Sequence, residues 1–430
     1  MLHMAWFVGQ GYSVHGWQAP WSGRIDLEWM RPDIYLDLAR ALDRAGFDYI
    51  MLEDGLLMPD SYGGTPEWFL KNAWMVPKAD PMALVPLIGQ ATTRIGIVAT
   101  MTTSFTPPFT AARLGATLDH LTDGRFGFNI VTAHNERSAQ NFGLDEHYEH
   151  DLRYEMADEW MDVVDALWSS WEDGAIVADA DGGTFADVTK VHPIDHAGRF
   201  YKCRGPLNVA PGPQRRPVIC QAGGSPAGRG FASRHADTIL ARYRDADAAK
   251  TFRDDIRARM AAHGRDPDDC KILYLMTATL AETDDLARAR FAHQGEEVAA
   301  NFEHKLAFMS YASGKDFSKL DLDAPLPEIR TNAAQASTKA LTAGSGKTLR
   351  EIASENASGG FDFVGSPDSV AAQMEETARA IGGDGFLISN PLTRHAVAEV
   401  ADGLAPALAR RGLLPAATPA TTLRQRLRAF

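Results

Sequence analysis

Residues 94–135 read RIGIVATMTTSFTPPFTAARLGATLDHLTDGRFGFNIVTAHN. An apolar, β-branched run, RIGIVATMTTS, is followed by a helical pattern, TAARLGATLDHLTDG, and then by a second apolar run, RFGFNIVTAHN. Strand, helix and strand in this order predict two parallel strands joined by a crossover helix. Upstream lie HMAWFVG at 3–9, the helical RPDIYLDLARALDRAGF at 31–47, FDYIMLED at 47–54 and the helical ADPMALVPLIGQATT at 79–93. Downstream, RRPVICQAGGS, SPAGRGFASRHA and DTILARY repeat the unit between 215 and 243, and KILYLMTATLAET and DGFLISNPL supply the last strands.

Open doubly wound sheets and closed barrels share this alternation. Closure is favoured by about eight strand candidates, by polar strand ends at Asp54, Thr102 and Asn129, and by chain length. The expected architecture is α/β, a single (β/α)8 TIM barrel over 1–430. Insertions are expected at about 168–213 and 294–357, the second as a lid or pocket wall. The C-terminal tail at about 415–430, ending TLRQRLRAF, reads as a loose terminus or an oligomer contact.

The chain has 430 residues, 45% of them hydrophobic, and a net charge of −13. That charge disfavours nucleic acid and anionic membranes as partners. Cys203, Cys220 and Cys270 lack CxxC spacing and fit a reducing compartment, and no secretory or membrane-spanning pattern is seen. A cytoplasmic location is expected.

No HExxH or cysteine-rich spacing appears, so no metal is expected. His147 and His150 in DEHYEHDLRY could share a helix face, but no third ligand stands out. TAGSGKT at 342–348 only resembles the end of a phosphate-binding loop, since its first Gly is misplaced and no strand precedes it. QAGGSPAGRG at 221–230 is the better anion candidate: a strand end, two glycines, then a helix opening at Ser225 and Pro226. Ser225 reads equally as a plain N-cap.

Together these residues resemble the bacterial-luciferase-like flavin monooxygenases, in the subgroup of nitrilotriacetate, dibenzothiophene-sulfone and long-chain alkane monooxygenases. The resemblance rests on LEDG at 52–55, ATLDHLTDGRFGFNIVT at 116–132, NFGLDEHYEHDLRYEMADEW at 141–160, the stretch 185–223, and GFDFVGSPDSVAAQM at 360–374. It implies FMN at the C-terminal strand ends, used as reduced FMNH2 with O2. It further implies flavin contacts from Asp54, Thr100, Thr102 and Asn129, and a phosphate cradle of His150, Tyr154, Gly224 and Ser225. The implied enzyme is a two-component monooxygenase, a homodimer or homotetramer, supplied by a separate NAD(P)H:flavin reductase. No dinucleotide GxGxxG in a βαβ context suggests an internal reductase. A deazaflavin- or flavin-dependent dehydrogenase on the same barrel, or a non-catalytic flavin-binding protein, remains the alternative.

His134, just past the fourth strand, is the candidate acid–base or hydrogen-bonding group over the flavin, or else a pocket wall. His15, Trp17, Tyr62, Phe105 and Phe308 are candidate substrate walls, with Trp21, Pro59, Trp68 and Trp74 near them in sequence. Phe308 stands where alkane-type members have a histidine, and Met75 where they have a glutamine. This aromatic, mostly uncharged set suits a small apolar or aromatic organic substrate.

Overall fold

A computed structural model describes residues 1–18, 28–326, 329, 331–333, 346–355, 359–415 and 421–430. Trp21 and residues 342–345 of TAGSGKT lie outside the described residues. Eight parallel strands form a ring: β1 (His3–Val8), β2 (Tyr49–Leu52), β3 (Gly96–Thr102), β4 (Phe126–Val131), β5 (Val218–Gln221), β6 (Thr238–Ala241), β7 (Lys271–Leu280) and β8 (Gly385–Ile388). Each strand pairs with the next, and β8 returns to β1, with His3 opposite Gly385 and Trp6 opposite Ile388. The ring is therefore the expected closed barrel.

Helices α1 (Asp33–Ala45), α2 (Leu84–Ala91), α3 (Pro108–Leu121), α4 (His150–Trp168), α5 (Pro226–His235) and α6 (Ala246–Ala262) fill the first six crossovers. After β7 come α7 (Asp284–Ala300) and α8 (Glu303–Ser313), and α9 (Pro367–Ile381) leads back to β8. A further parallel strand, Phe361–Gly365, pairs with the outer half of β7, where Met276 faces Phe361. The strand period of two sorts the core. In β1, Met4, Trp6 and Val8 pack against the helix layer, while Ala5 and Phe7 join Tyr49, Met51, Val98, Cys220 and Leu387 on the barrel axis.

The first inserted stretch forms two small hairpins, Ile176–Asp179 with Thr184–Ala186 and His196–Ala197 with Lys202–Cys203. It runs from the end of α4 into the start of β5, so it belongs to the end of the barrel opposite the polar strand ends. The boundary expected at residue 294 falls inside α7, which begins earlier, where the Thr283 side chain caps Leu286.

The tail is not loose where it is described. A helix, Leu423–Leu427, plugs the lower mouth of the barrel. Leu423 and Leu427 are buried in the axial core, and the methyls of Leu423 fill the space that a side chain on Gly96 would need. Arg424 pairs with Asp237, a carboxylate that also takes Arg216 Nη1 at 3.0 Å and the Ile219 N–H at 2.8 Å. Phe430 stacks on His3 at 4.1 Å between ring centres. Apolar residues four apart on TLRQRLRAF carried this signal, but the flanking arginines masked it, because their partners come from distant strands.

Asp237 is buried, and Arg424 and Arg216 hold its carboxyl below the usual range. Its stabilising effect is thus present above the unfolded carboxylate pKa and lost as pH falls through the lowered one. Arg424→Met should cost about 3 kcal/mol of stability at neutral pH, because one partner of a buried pair is removed. Urea unfolding followed by circular dichroism should show that gap shrinking toward about pH 3. An unchanged midpoint at neutral pH would contradict this account of the plug.

Candidate active site

The upper strand ends gather the expected polar residues. Thr100, Thr102 and Asn129 point into the barrel. Thr100 donates to the Leu52 carbonyl at 2.8 Å and accepts from Asn129 Nδ2 at 2.8 Å. Among the described residues, Asn129 Oδ1 is buried without a partner. Thr102 accepts a weak bond from the Ser104 N–H at 3.3 Å. Thr100 is therefore satisfied within the barrel wall, and Asn129 keeps one open acceptor.

Asp54 follows β2 and is part-buried, accepting from the Gly55 N–H at 2.8 Å. Burial is the main cause that pushes its carboxyl up to about 7, against the pull of the Lys78 cation. Glu53, its neighbour, takes Lys78 Nζ at 2.5 Å. The phenol of Tyr311, on α8, lies over Gly55, so a Cβ there would come within 2.7 Å of it. Burial raises this phenol well above its ordinary pKa, so it stays protonated. His134 meets Tyr311 edge-on, ring centres 5.9 Å apart, and its Nε2 is buried without a partner among the described residues. Burial, helped by the charges of Arg153 and Lys78, lowers its pKa to about 4, so the imidazole is neutral at pH 7.

Aromatic rings enclose this group. Trp74 meets Phe308 at 6.0 Å and Tyr311 at 5.6 Å, and Trp68 meets Tyr62 at 5.9 Å and His304 at 4.9 Å. Helix α8 thus lies on the loop that follows β2. Three other candidates are placed differently. Phe105 stacks on Phe142 and His147. His15 bonds the Gly11 carbonyl at 2.9 Å and packs on Tyr35. Trp17 donates to the Asn72 carbonyl at 3.1 Å.

The second group sits where α4 and α5 begin. His150 and Tyr154, one turn apart on α4, face each other at 5.3 Å. The Tyr154 hydroxyl reaches Ser225, Gln221 and Thr132. Ser225 caps α5, accepting from the Gly228 N–H at 3.1 Å, and Arg229 Nε donates to the Gly224 carbonyl at 3.0 Å. Gly223 must lack a side chain: a Cβ would lie 2.6 Å from the Tyr154 hydroxyl and 2.4 Å from Gln221 Nε2. Glycine at the cradle, a helix start and two hydroxyls fit a phosphate, while the open acceptor of Asn129 fits a ring bearing N–H groups. The residues present therefore suit FMN. Glu53, Lys78 and Tyr311 were not picked out from the sequence. Alternation along β2 points Glu53 inward with Met51, but Lys78 and Tyr311 come from segments whose approach no local pattern announces.

Because the folded pKa of Asp54 exceeds the ordinary carboxylate value, folding takes up a proton between about 4 and about 7, and stability falls as pH rises through that window. Asp54→Asn removes the penalty. Its melting temperature should rise relative to the native protein more at about pH 8 than at about pH 5. Equal differences at both pH values would show that Asp54 titrates normally.

Comparison with known proteins gives the family. The model of the family described as luciferase-like monooxygenase matches residues 11–385. Dimethyl-sulfide monooxygenase of Hyphomicrobium sulfonivorans is 36% identical over 401 residues, 92% of this chain and 83% of that protein. Nitrilotriacetate monooxygenase component A of Aminobacter aminovorans is 34% identical over 440 residues, 98% and 95% of the two chains. Among solved structures, riboflavin lyase with modified FMN and riboflavin superposes with a TM-score of 0.89 at 29% identity, covering 100% of this chain and 96% of the other. By sequence along nearly its whole length and by the barrel that carries its site, the chain belongs to the luciferase-like monooxygenase family.

Proposed function

We propose that this monooxygenase inserts oxygen from O2 into a small, largely apolar or aromatic organic molecule, using reduced FMN delivered by a separate NAD(P)H:flavin reductase. The observation that carries this reading is the aromatic enclosure of Trp74, Phe308 and Tyr311 over Asp54 and His134, reached from a phosphate cradle on α4 and α5. Reduced FMN supplies the electrons that activate O2. The protein's share is to bind, orient and keep water out. His150, Tyr154, Gly224 and Ser225 hold the phosphate, and Asp54, Thr102 and Asn129 line the ring end. Neutral His134 and the protonated Tyr311 phenol offer hydrogen bonds to the reacting oxygen without adding a charge. Thr100 acts behind them by orienting Asn129. Work in the cytoplasm as a homodimer or homotetramer fits the acidic chain, and among the described residues no helix is long and apolar enough to cross a membrane.

FMN, a flavin reductase, NADH and O2, offered with a panel of small organic compounds, should give products that gain one oxygen atom or are cleaved, read by mass spectrometry. Oxygen uptake that never alters any compound would count against the reading.

Two variants test the residue roles. Reduced FMN should bind more tightly than reduced riboflavin, and Ser225→Ala with Tyr154→Phe should erase the preference. Equal affinities in the native protein would remove the phosphate assignment. His134→Phe should release more hydrogen peroxide per NADH and less product, with flavin affinity kept. The loss should approach about 10²–10³ in rate if one hydrogen bond to developing charge disappears. Unchanged coupling would make His134 a wall only.

A further inference from the structure

Helix α4 buries His150, Arg153, Ala157 and Trp160, so a guanidinium occupies a core position beside the cradle residues His150 and Tyr154. Arg153 is 1% exposed. Its Nη2 donates to the Asn332 carbonyl at 2.7 Å, while Nε and Nη1 are buried without partners among the described residues. A buried guanidinium matched so poorly does little for stability, since its unpaired donors offset what the one bond contributes. What it supplies is direction, because a planar, rigid fork fixes the carbonyl it meets.

That carbonyl belongs to a short strap, residues 331–333, which is held on two sides. Asn332 Nδ2 donates to the Tyr148 carbonyl at 3.3 Å, just ahead of α4. Thr331 Oγ1 donates to the carbonyl of Ser313, the last residue of α8, at 2.6 Å, and accepts from the Ala333 N–H at 2.9 Å. The last carbonyls of a helix have no partner inside it, so Thr331 fills an open acceptor of α8. Helix α8 in turn sets Phe308 and Tyr311 against Trp74, at 6.0 and 5.6 Å, and Tyr311 against His134, at 5.9 Å. A run of hydrogen bonds thus leads from the first turn of α4 to the helix that carries the aromatic wall.

We propose that Arg153 is a positioning residue: through Asn332 and Thr331 it seats α8, so that Tyr311 and Phe308 stand over the centre that Asp54 and His134 line. It acts through that helix rather than on a reacting atom. Its consequence for turnover rests on the oxygenase reading, whereas the seating of α8 is a property of the chain with or without a substrate. A loosened α8 admits water to the centre, and an enzyme of this kind then spends NADH on hydrogen peroxide.

The test follows amide hydrogen exchange by mass spectrometry in the full chain with FMN. Arg153→Met should speed exchange of α8 roughly tenfold or more, the scale of one lost hydrogen bond to a charged group, while the ring strands exchange as in the native protein. Arg153→Lys still offers a donor to one carbonyl and should recover most of the protection. Thr331→Val cuts the same run at its other end and should loosen α8 as well. With a compound that the native protein oxygenates, Arg153→Met should release more hydrogen peroxide per NADH, with FMN affinity kept, and Arg153→Lys should reverse that rise. Unchanged exchange of α8 in either Arg153→Met or Thr331→Val would overturn the proposal. So would faster exchange throughout the barrel, a lysine variant no better than methionine, or a loosened α8 with coupling unchanged. Loss of FMN affinity in Arg153→Met would overturn it too, because the guanidinium would then serve the cradle directly. If Arg153→Met fails to fold, Thr331→Val decides. Absence of any oxygenated compound would sink the oxygenase reading separately, with the exchange of α8 still judging the seating.

Discussion

Three carboxylates at the lower rim, two of them buried and Asp384 half-buried, fix the register on which the barrel depends. Asp48, Asp237 and Asp384 each stand immediately before an even-numbered strand. Each accepts a backbone N–H from the strand before it: Met4 at 3.0 Å, Ile219 at 2.8 Å and Ile272 at 2.8 Å. A staggered ring leaves such N–H groups beyond the reach of the ladder, and a buried donor without an acceptor is costly. A charged acceptor makes the bond roughly twice as strong as a neutral one. Asp43, at the end of α1, does the same for Arg94 and Ile95 ahead of β3. Every side chain at the upper rim is placed by the register these contacts set.

The division of labour between the two rims follows. Below, carboxylates have partners: Asp237 pairs with two arginines, and Asp48 is hydrogen-bonded to His3 Nδ1 at 3.1 Å. Above, several groups are held in states that folding alone would not favour. Asp54 is displaced toward neutrality, while among the described residues His134 Nε2 and Asn129 Oδ1 have no partner. Such groups destabilise the empty barrel and are tolerated where a ligand completes them. The lower rim supplies the stability that lets the upper rim carry them.

Local pattern made most of this legible. Apolar runs and helical spacing located all eight ring strands, because each unit obeys its own periodicity. The glycines before Ser225 marked an anion candidate and the family resemblance pointed to His150 and Tyr154, because each lies within one short segment. What stayed hidden is what depends on distant approach. The descent of α8, which brings Tyr311 to Gly55, leaves no trace in either segment. The role of the tail was missed for the same reason: Arg424 has meaning only beside Asp237, 187 residues earlier.

That tail has a consequence for biosynthesis. Ribosomes add roughly 5–20 residues per second, and folding proceeds as the chain emerges. All eight ring strands are translated before the hydrophobic plug made of Leu423 and Leu427. Until then the axial residues Phe7, Val98 and Leu275 face an open hole. A nascent barrel can close its ring before it can close its floor, and in that interval it presents an oily opening to chaperones.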